Sequence, residues 1–478
     1  MRRSPARPRK SKHNQRKKAP QNRLARNAAP LEVTISYLGG RGDGVAQADY
    51  THNYQTKSHM VFVPNSLPGE TVLVQPTTLD GQGIQAHILE LKTASKDRKE
   101  PDCQVFPECG GCQFQHFDQE AYQAWKDNQL DTVLERAGFG AVPSKPRFTA
   151  PPHSRRRARL AFRKRAEDVI TGFRQRATHH IIAPTGCVIL APELQSCLLE
   201  IEAKLLSVMP QGMTGDLDIN LCDNGCDICV ITDEPCAASI ITSLTTAAAD
   251  CDIARLSLQQ PKEPPQLLLQ KKEPKITWSL PEGASQKTVA LYPAPATFLQ
   301  AVSQAETVMR DDIFEALSGY KNIVALFCGS GTLSTALLFQ NTPPEQIIGY
   351  DTGREAIASF QKIADFNGHG NRLSAIQRNL FDAPLTTKEL ENFDAAIMDP
   401  PRSGAPSQAA SLAKSNIKRI MMVSCNPYSF VKDAALLLEG GYQCKWYRHI
   451  DQFWMTSHSE IIACFDKDVD KDVDKDDV

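Results

Sequence analysis

Ile323-Val324-Ala325-Leu326-Phe327-Cys328-Gly329-Ser330-Gly331-Thr332 is the stretch on which the fold turns. Its apolar half has the composition of a fully buried strand, and the Gly-Ser-Gly that follows is a tight turn leading into a helix. Open α/β sheets cradle nucleotide-like cofactors at such turns, at the carboxyl ends of their strands. Outward from it, strand-like runs at 322–327, 346–351, 373–377, 393–399, 419–425, 443–449 and 460–465 alternate with helical stretches such as 354–367 and 428–439. That alternation predicts a doubly wound α/β sheet over the last third of the chain. Asp351, Asp399 and Cys425 each end one of these strands and should converge at one edge. If the last strand runs antiparallel, Glu460, at its beginning, joins them.

Three segments carry the chemistry: Asp399-Pro400-Pro401-Arg402-Ser403-Gly404, Ser424-Cys425-Asn426-Pro427 and His458-Ser459-Glu460. As an ordered set they resemble the RNA 5-methyluridine methyltransferases, S-adenosylmethionine-dependent enzymes that methylate carbon 5 of uridine in transfer or ribosomal RNA. The likeness spans roughly residues 31 to 465 and implies a C-terminal Rossmann-like class I methyltransferase domain. Carbon 5 of uracil is a poor nucleophile until a group adds to carbon 6, and Cys425 is the candidate for that addition. The carbon 5 proton must then leave, and Glu460 resembles the family's general base. The resemblance further assigns cofactor contacts to Gln300, within Phe298-Leu299-Gln300, and to Phe327, Thr332, Asp351, Asn379 and Asp399. Ala325, Ser303 and Thr332 depart from the usual pattern, where Asp, Asn and Asn are common.

Upstream, five short strand-like runs with glycine turns lie between Leu31 and about Lys92, which suggests a small barrel. Gly42-Asp43-Gly44-Val45-Ala46 and Leu67-Pro68-Gly69-Glu70-Thr71-Val72 look like the TRAM domain, an OB-like RNA-binding barrel. Before it, residues 1–30 hold eleven Lys or Arg and no acid, although the whole chain has a net charge of only -1. This basic arm is expected to be disordered and to suit a phosphate backbone. The repeated Asp-Lys-Asp-Val tail at 467–478 has no apolar face and is expected to be disordered.

The chain has 14 cysteines, no apolar run long enough to span a membrane and no secretory signal, so a cytoplasmic protein without disulfides is expected. Cys103, Cys109 and Cys112 form a C-x5-C-x2-C cluster, for which spacing alone leaves zinc and iron–sulfur open. The 23S ribosomal RNA branch of the family carries a [4Fe-4S] cluster on this spacing, with a distant fourth ligand matched by Cys187. The transfer-RNA branch lacks both cluster and TRAM domain, so the resemblance points to 23S rRNA as substrate. A second set, Cys222, Cys226 and Cys229, has radical-enzyme spacing but flanks Asp223-Asn224-Gly225, a hairpin turn signal. Arg155-Arg156-Arg157-Ala158-Arg159-Leu160-Ala161-Phe162-Arg163-Lys164-Arg165 suggests a strand with one basic face, and RNA contact is expected there, Phe162 included.

The expected organisation is therefore a basic arm at 1–30, a barrel at 31–95, a central α+β iron–sulfur and RNA-binding domain at 96–290, a methyltransferase domain at 291–466, and a tail. The stretch 236–286 carries no assignable chemistry. A monomer is expected. The alternatives are a transfer-RNA uridine-C5 methyltransferase and a non-catalytic RNA-binding protein, the latter disfavoured because Cys425 and Glu460 are both present. Amino-group methyltransferases need no thiol and place an aromatic residue where Arg402 stands. A 5-methylcytosine enzyme typically has a further cysteine beside proline near the fourth strand, and Asp399-Pro400-Pro401 supplies none.

Overall fold

The structure, a computed structural model, describes residues 22–24, 28–52, 54–176 and 178–467. They divide into two compact units at Lys99/Glu100.

In the first unit the strand residues alternate inward and outward, and the inward set (Val33, Ile35, Ala46, Val61, Val63, Val72, Val74, Ile84, Ala86) forms one core. Residues 31–38 pair on one side with Thr71–Asp80 and on the other with Gly44–His52. The ring closes through Gln55–Val63 and Gly83–Thr93, giving a five-segment barrel. The Leu-Pro-Gly-Glu motif is a turn held by its own carboxylate. Glu70 is fully buried, accepts from Leu67 N at 2.8 Å, and is gripped by Arg98, which pulls its pKa down against the cost of burial. The basic arm does not run free to residue 30, because Asn22 and Arg23 pair with Leu79 and Thr78. Residues 1–21 lie outside the described residues.

The second unit holds the expected sheet. Its strand order is Leu373–Gln377, Gln346–Asp351, Asn322–Leu326, Ala395–Met398, Arg419–Ser424, Glu460–Lys467, Tyr442–Asp451 and Ser144–Thr149. All run parallel except Glu460–Lys467, which is antiparallel to both neighbours and so begins at the edge where the others end. The chain reverses its direction of sheet growth at Asn322–Leu326, which makes the glycine turn after it a topological switch point.

Two features of this sheet differ from expectation. The glycine turn leads not into a full helix but into one 3-10 turn, Thr335–Phe339, all of whose residues are buried. The chain can turn so tightly because Gly331, at φ +77°, leaves room for the Phe360 ring, which lies 2.0 Å from where a Cβ would sit. Second, the region expected as a separate domain at 96–290 contributes to this sheet. Ser144–Thr149 adds an eighth strand at its edge, and Leu130, Leu134 and Phe139, from and just after the helix Gln119–Arg136, pack into its core. Pro146 inside that strand is tolerated at an edge, where one side of the ladder needs no donors.

The remaining central residues form a second sheet, ordered Ile181–Ile182, Val169–Arg174, Arg157–Lys164, Thr214–Cys222, Gly225–Thr232, Ile253–Gln259 and Gln266–Gln270. The helices Pro192–Glu200 and Ala238–Ala249 pack against it. The unassigned stretch 236–286 thus supplies a helix and three strands. At the C-terminus, Asp466 and Lys467 belong to the last strand, and 468–478 lie outside the described residues. Among the described residues no helix is long and apolar enough to cross a membrane.

Candidate functional site

Local chemistry explains each wall of the sheet edge. Asp351 ends its strand and accepts from Gly329 N at 3.0 Å and from Gly353 N at 2.8 Å, so its carboxylate ties the glycine turn to the next helix. Phe327 sits at the turn with φ 58°, a left-handed conformation uncommon for a side-chain-bearing residue, and its ring lies 5.5 Å from that of half-exposed Phe381. Asn379 accepts from Phe381 N and donates to Asp382, so its polar atoms hold the Asn379–Asp382 turn. Thr332 is half-buried within the glycine turn. The Gln300 side-chain oxygen accepts from Gln452 at 2.8 Å, which puts it beside the loop leading to Glu460.

The Asp-Pro-Pro-Arg-Ser-Gly and Ser-Cys-Asn-Pro segments lock together. Asn426 caps the helix Pro427–Glu439 by accepting from Tyr428 N, and its amide donates to the Arg402 carbonyl at 3.1 Å. Ser429 donates to the same carbonyl, and Asp433 accepts from Ala405 N at 2.7 Å. Gly404 is required where the two meet, since its φ is +74° and a Cβ would come within 2.6 Å of Asp433. Cys425 lies at the junction, half-buried, just as the chain leaves the sheet.

Cys425, Asp399 and Glu460 form one electrostatic group. Burial, reinforced by Glu460 and Asp399 and opposed by Arg402, pushes the Cys425 thiol up to about 11. Burial and then Asp399 push Glu460 up to about 8, with the Gln452 amide and the Lys126 cation pulling the other way. Asp399, beside Asp351, is pushed up to about 7, chiefly by burial. Glu460 Oε2 is buried with no hydrogen-bond partner. A buried, unpaired carboxylate oxygen facing a thiol is costly for the fold and fits a group that binds or takes a proton from something else.

Cys103, Cys109, Cys112 and Cys187 line a single cavity with Phe106, Arg155 and Phe173. Gly111 N points at Cys109 Sγ at 3.4 Å and Gln115 Nε2 at Cys112 Sγ at 3.5 Å. Gly110 is needed there because a Cβ would lie 2.1 Å from Arg174 O. Among the described residues no three His, Cys, Asp or Glu side chains converge tightly enough for one metal ion. Cys222, Cys226 and Cys229 sit inside a regular hairpin, with Cys222 opposite Gly225.

The arginine strand has the expected basic face, Arg157, Arg159 and Arg163, opposite buried Ala158, Leu160 and Phe162, but part of its charge is paired. Arg156 is buried and paired with Glu306, and Phe162 is core. Arg159 and Arg174 both pair with Asp216, and Arg157 lies 3.5 Å from Asp218 and 4.4 Å from the exposed Phe298 ring. Acids on the neighbouring strand Thr214–Cys222 temper the basic face, a pairing invisible until the strands are aligned. Sequence patterns likewise gave no sign of Gln452 or Lys126 at the site, since neither lies in a recognisable motif.

The family described as tRNA (uracil-5-)-methyltransferase matches residues 289–467. An uncharacterized RNA methyltransferase of Agrobacterium fabrum is 33% identical, covering 91% of this chain and 99% of its own. The chain belongs to the RNA uracil-C5 methyltransferase family. A further relative is the 23S rRNA (uracil(1939)-C(5))-methyltransferase RlmD of a Shewanella species, 29% identical over 94% of this chain and 98% of its own. Among solved structures, the Pyrococcus abyssi tRNA (uracil-54, C5)-methyltransferase in complex with S-adenosyl-L-homocysteine superposes with a TM-score of 0.67 at 19% identity, covering 91% of this chain and 99% of that one. The likeness in fold therefore reaches well beyond the C-terminal sheet.

Proposed function

We propose that this chain methylates carbon 5 of a uridine in 23S ribosomal RNA, with Cys425 as nucleophile and Glu460 as general base. The observation that carries this reading is the proximity of the Cys425 thiol to the buried Glu460 carboxylate, one of whose oxygens has no partner, at the carboxyl edge of the sheet.

Cys425, its S–H proton already lost to solvent, adds as thiolate to carbon 6 of the uracil, and the ring becomes an enolate nucleophilic at carbon 5. S-adenosylmethionine, when bound, supplies an electrophilic methyl group. Asp351, at the switch point, is suited to the ribose hydroxyls, and the Phe327 and Phe381 rings to an adenine face. Asp399, Asn379 and Thr332 stand around the same turn. Gln300, held by its bond to Gln452, is read as a further cofactor contact. Glu460 then takes the carbon 5 proton, and the thiolate leaves carbon 6. Cys425 and Glu460 both act deprotonated and both have raised pKa values, so turnover should climb with pH through about 8.

The barrel is read as a TRAM-type RNA-binding domain. The four-cysteine cavity is read as the seat of a [4Fe-4S] cluster. The residues fit that group: four thiols line one cavity, with amide donors aimed at two of the sulfurs. The choice of 23S rRNA over transfer RNA rests on that cavity together with the RlmD likeness. It is tested by offering the purified chain unmodified 23S rRNA and transfer-RNA transcripts with methyl-labelled S-adenosylmethionine. Label in a ribosomal 5-methyluridine supports the reading. Label confined to transfer RNA overturns the substrate, and label in neither overturns the activity.

A further inference from the structure

The helix Gln119–Arg136 buries a lysine. Lys126 is 2% exposed and donates to Asp451 Oδ1 and, at 3.0 Å, to the Tyr122 hydroxyl. Tyr122, fully buried, shares its own proton between Asp451 Oδ2 at 3.0 Å and the Thr456 carbonyl at 3.2 Å. Removing an ammonium from water costs several kcal/mol even after relaxation, so a buried pair is weak evidence of a device for stability. Its position suggests a different use. Asp451 ends the strand Tyr442–Asp451, whose Ile450 is opposite Glu460, so residues 452–459 close the hairpin between Asp451 and Glu460. Thr456 is in the middle of that loop and its hydroxyl accepts from His458 N. Gln113 steadies the far side, its backbone donating to the Met455 carbonyl and its side chain accepting from Ser457 N at 2.7 Å.

We propose that Lys126, with Tyr122 and Asp451, is a positioning device for the reaction: it clamps the loop 452–459 at two points and places a buried cation near Glu460, favouring the ionised form that accepts the carbon 5 proton. The inference rests on the reading of Glu460 as base. Facing Glu460 are Asp399 from the end of Ala395–Met398, Cys425 from the end of Arg419–Ser424, Lys126, and the Gln452 amide. Facing Lys126 are Asp451, Tyr122, Arg147, Asp127 and, from the loop, His458. Among the groups that act on Glu460, Lys126 supplies positive charge and Asp399 opposes it. His458 does not add to that positive charge, because burial and the cations Arg402, Lys126 and Arg155 push it down to about 4 and leave it neutral. The clamp also explains why the helix belongs to the catalytic unit although it precedes the family's matched stretch by more than a hundred residues.

The test follows turnover of the full-length protein on an unmodified 23S rRNA transcript across neutral and alkaline pH, together with the fraction of RNA held covalently on the enzyme. Lys126→Met should move the rising limb of turnover to higher pH by about one unit, the lower end of what an opposite charge does to a nearby carboxyl. It should also enrich the covalent adduct at neutral pH, and Lys126→Arg should restore the limb. Should Lys126→Met alone fail to fold, Lys126→Met/Asp451→Asn leaves no lone buried ion. It should show the same displacement, because Lys126 rather than Asp451 is what acts on Glu460. A lower turnover with an unmoved limb in the folded variant would overturn the proposal and leave Lys126 a structural residue. Glu460→Gln is run alongside: if it turns over normally, the base assignment fails. If it traps adduct at every pH while the Lys126 variants leave the limb in place, only the present inference fails.

Discussion

Cys425 and Cys229 are thiols of similar intrinsic character placed in two opposite settings. Both are pushed well up by burial, to about 11 and about 12, and both have carboxylates and arginines nearby. Cys229 lies in the middle of Gly225–Thr232, paired on both sides by Thr214–Cys222 and Ile253–Gln259, and 1% exposed. Of the two acids beside it, Asp227 is closed off by Arg255 through two bonds of 2.8 Å, while Asp218, directly across the ladder, has one buried oxygen without a partner. Cys425 lies one residue past its strand, where the chain turns into a helix and an adjoining buried carboxylate has an oxygen without a partner. The two thiols differ in what the backbone does next, a continuing ladder on both sides for Cys229 and a turn into a helix at the sheet edge for Cys425, not in their proton affinity.

That contrast should appear first as a difference between two alanine variants. Cys425→Ala should lower methylation by on the order of 10⁴-fold or more, as loss of a nucleophile does elsewhere, with little change in melting temperature. Cys229→Ala should do the reverse, costing about 1 kcal/mol of stability through a small cavity while activity persists. Equal losses of activity would break the distinction. The cysteine cavity makes a third case. Cys109→Ala should abolish bound iron in anaerobically purified protein and reduce solubility, because its ligands organise a loop-rich segment. Stoichiometric zinc in the unmutated protein, with no iron, would contradict the cluster.

A smaller effect concerns stability. Glu460 has its folded pKa raised to about 8 from the ordinary 4.5, so the folded chain binds more protons than the unfolded one between those values. Stability from this group is present at low pH and falls as pH rises through that window. Glu460→Gln, which cannot ionise, should therefore be more stable than the unmutated protein above about pH 8, by on the order of 1 kcal/mol, within the range of single stabilising substitutions. A lower melting temperature in alkaline buffer would show that the carboxylate is satisfied by a partner.

Legibility in the sequence followed the same division. The C-terminal sheet was readable because its central strands are nearly continuous apolar runs, and the antiparallel last strand, which brings Glu460 to the edge, was foreseen. The hairpin of Cys222–Cys229 was readable from Asp223-Asn224-Gly225. What escaped were elements whose signals are masked. The helix Gln119–Arg136 buries Tyr122, Lys126, Leu130 and Leu134 at intervals of four, but a lysine in the stripe hides its apolar face. The edge strand Ser144–Thr149 carries a proline and little that is apolar. The arginine strand was legible as a strand, whereas its cross-strand acids were not, since register decides which charges meet.

The most direct test is denaturing gel electrophoresis of Glu460→Gln after incubation with S-adenosylmethionine and an unmodified 23S rRNA transcript. Cys425 should still add and the methyl should still transfer, while the carbon 5 proton has nowhere to go. A methyl-labelled protein–RNA adduct that survives denaturation, and disappears in Cys425→Ala/Glu460→Gln, is the predicted result. Normal turnover by Glu460→Gln, or an adduct that persists without Cys425, would contradict it.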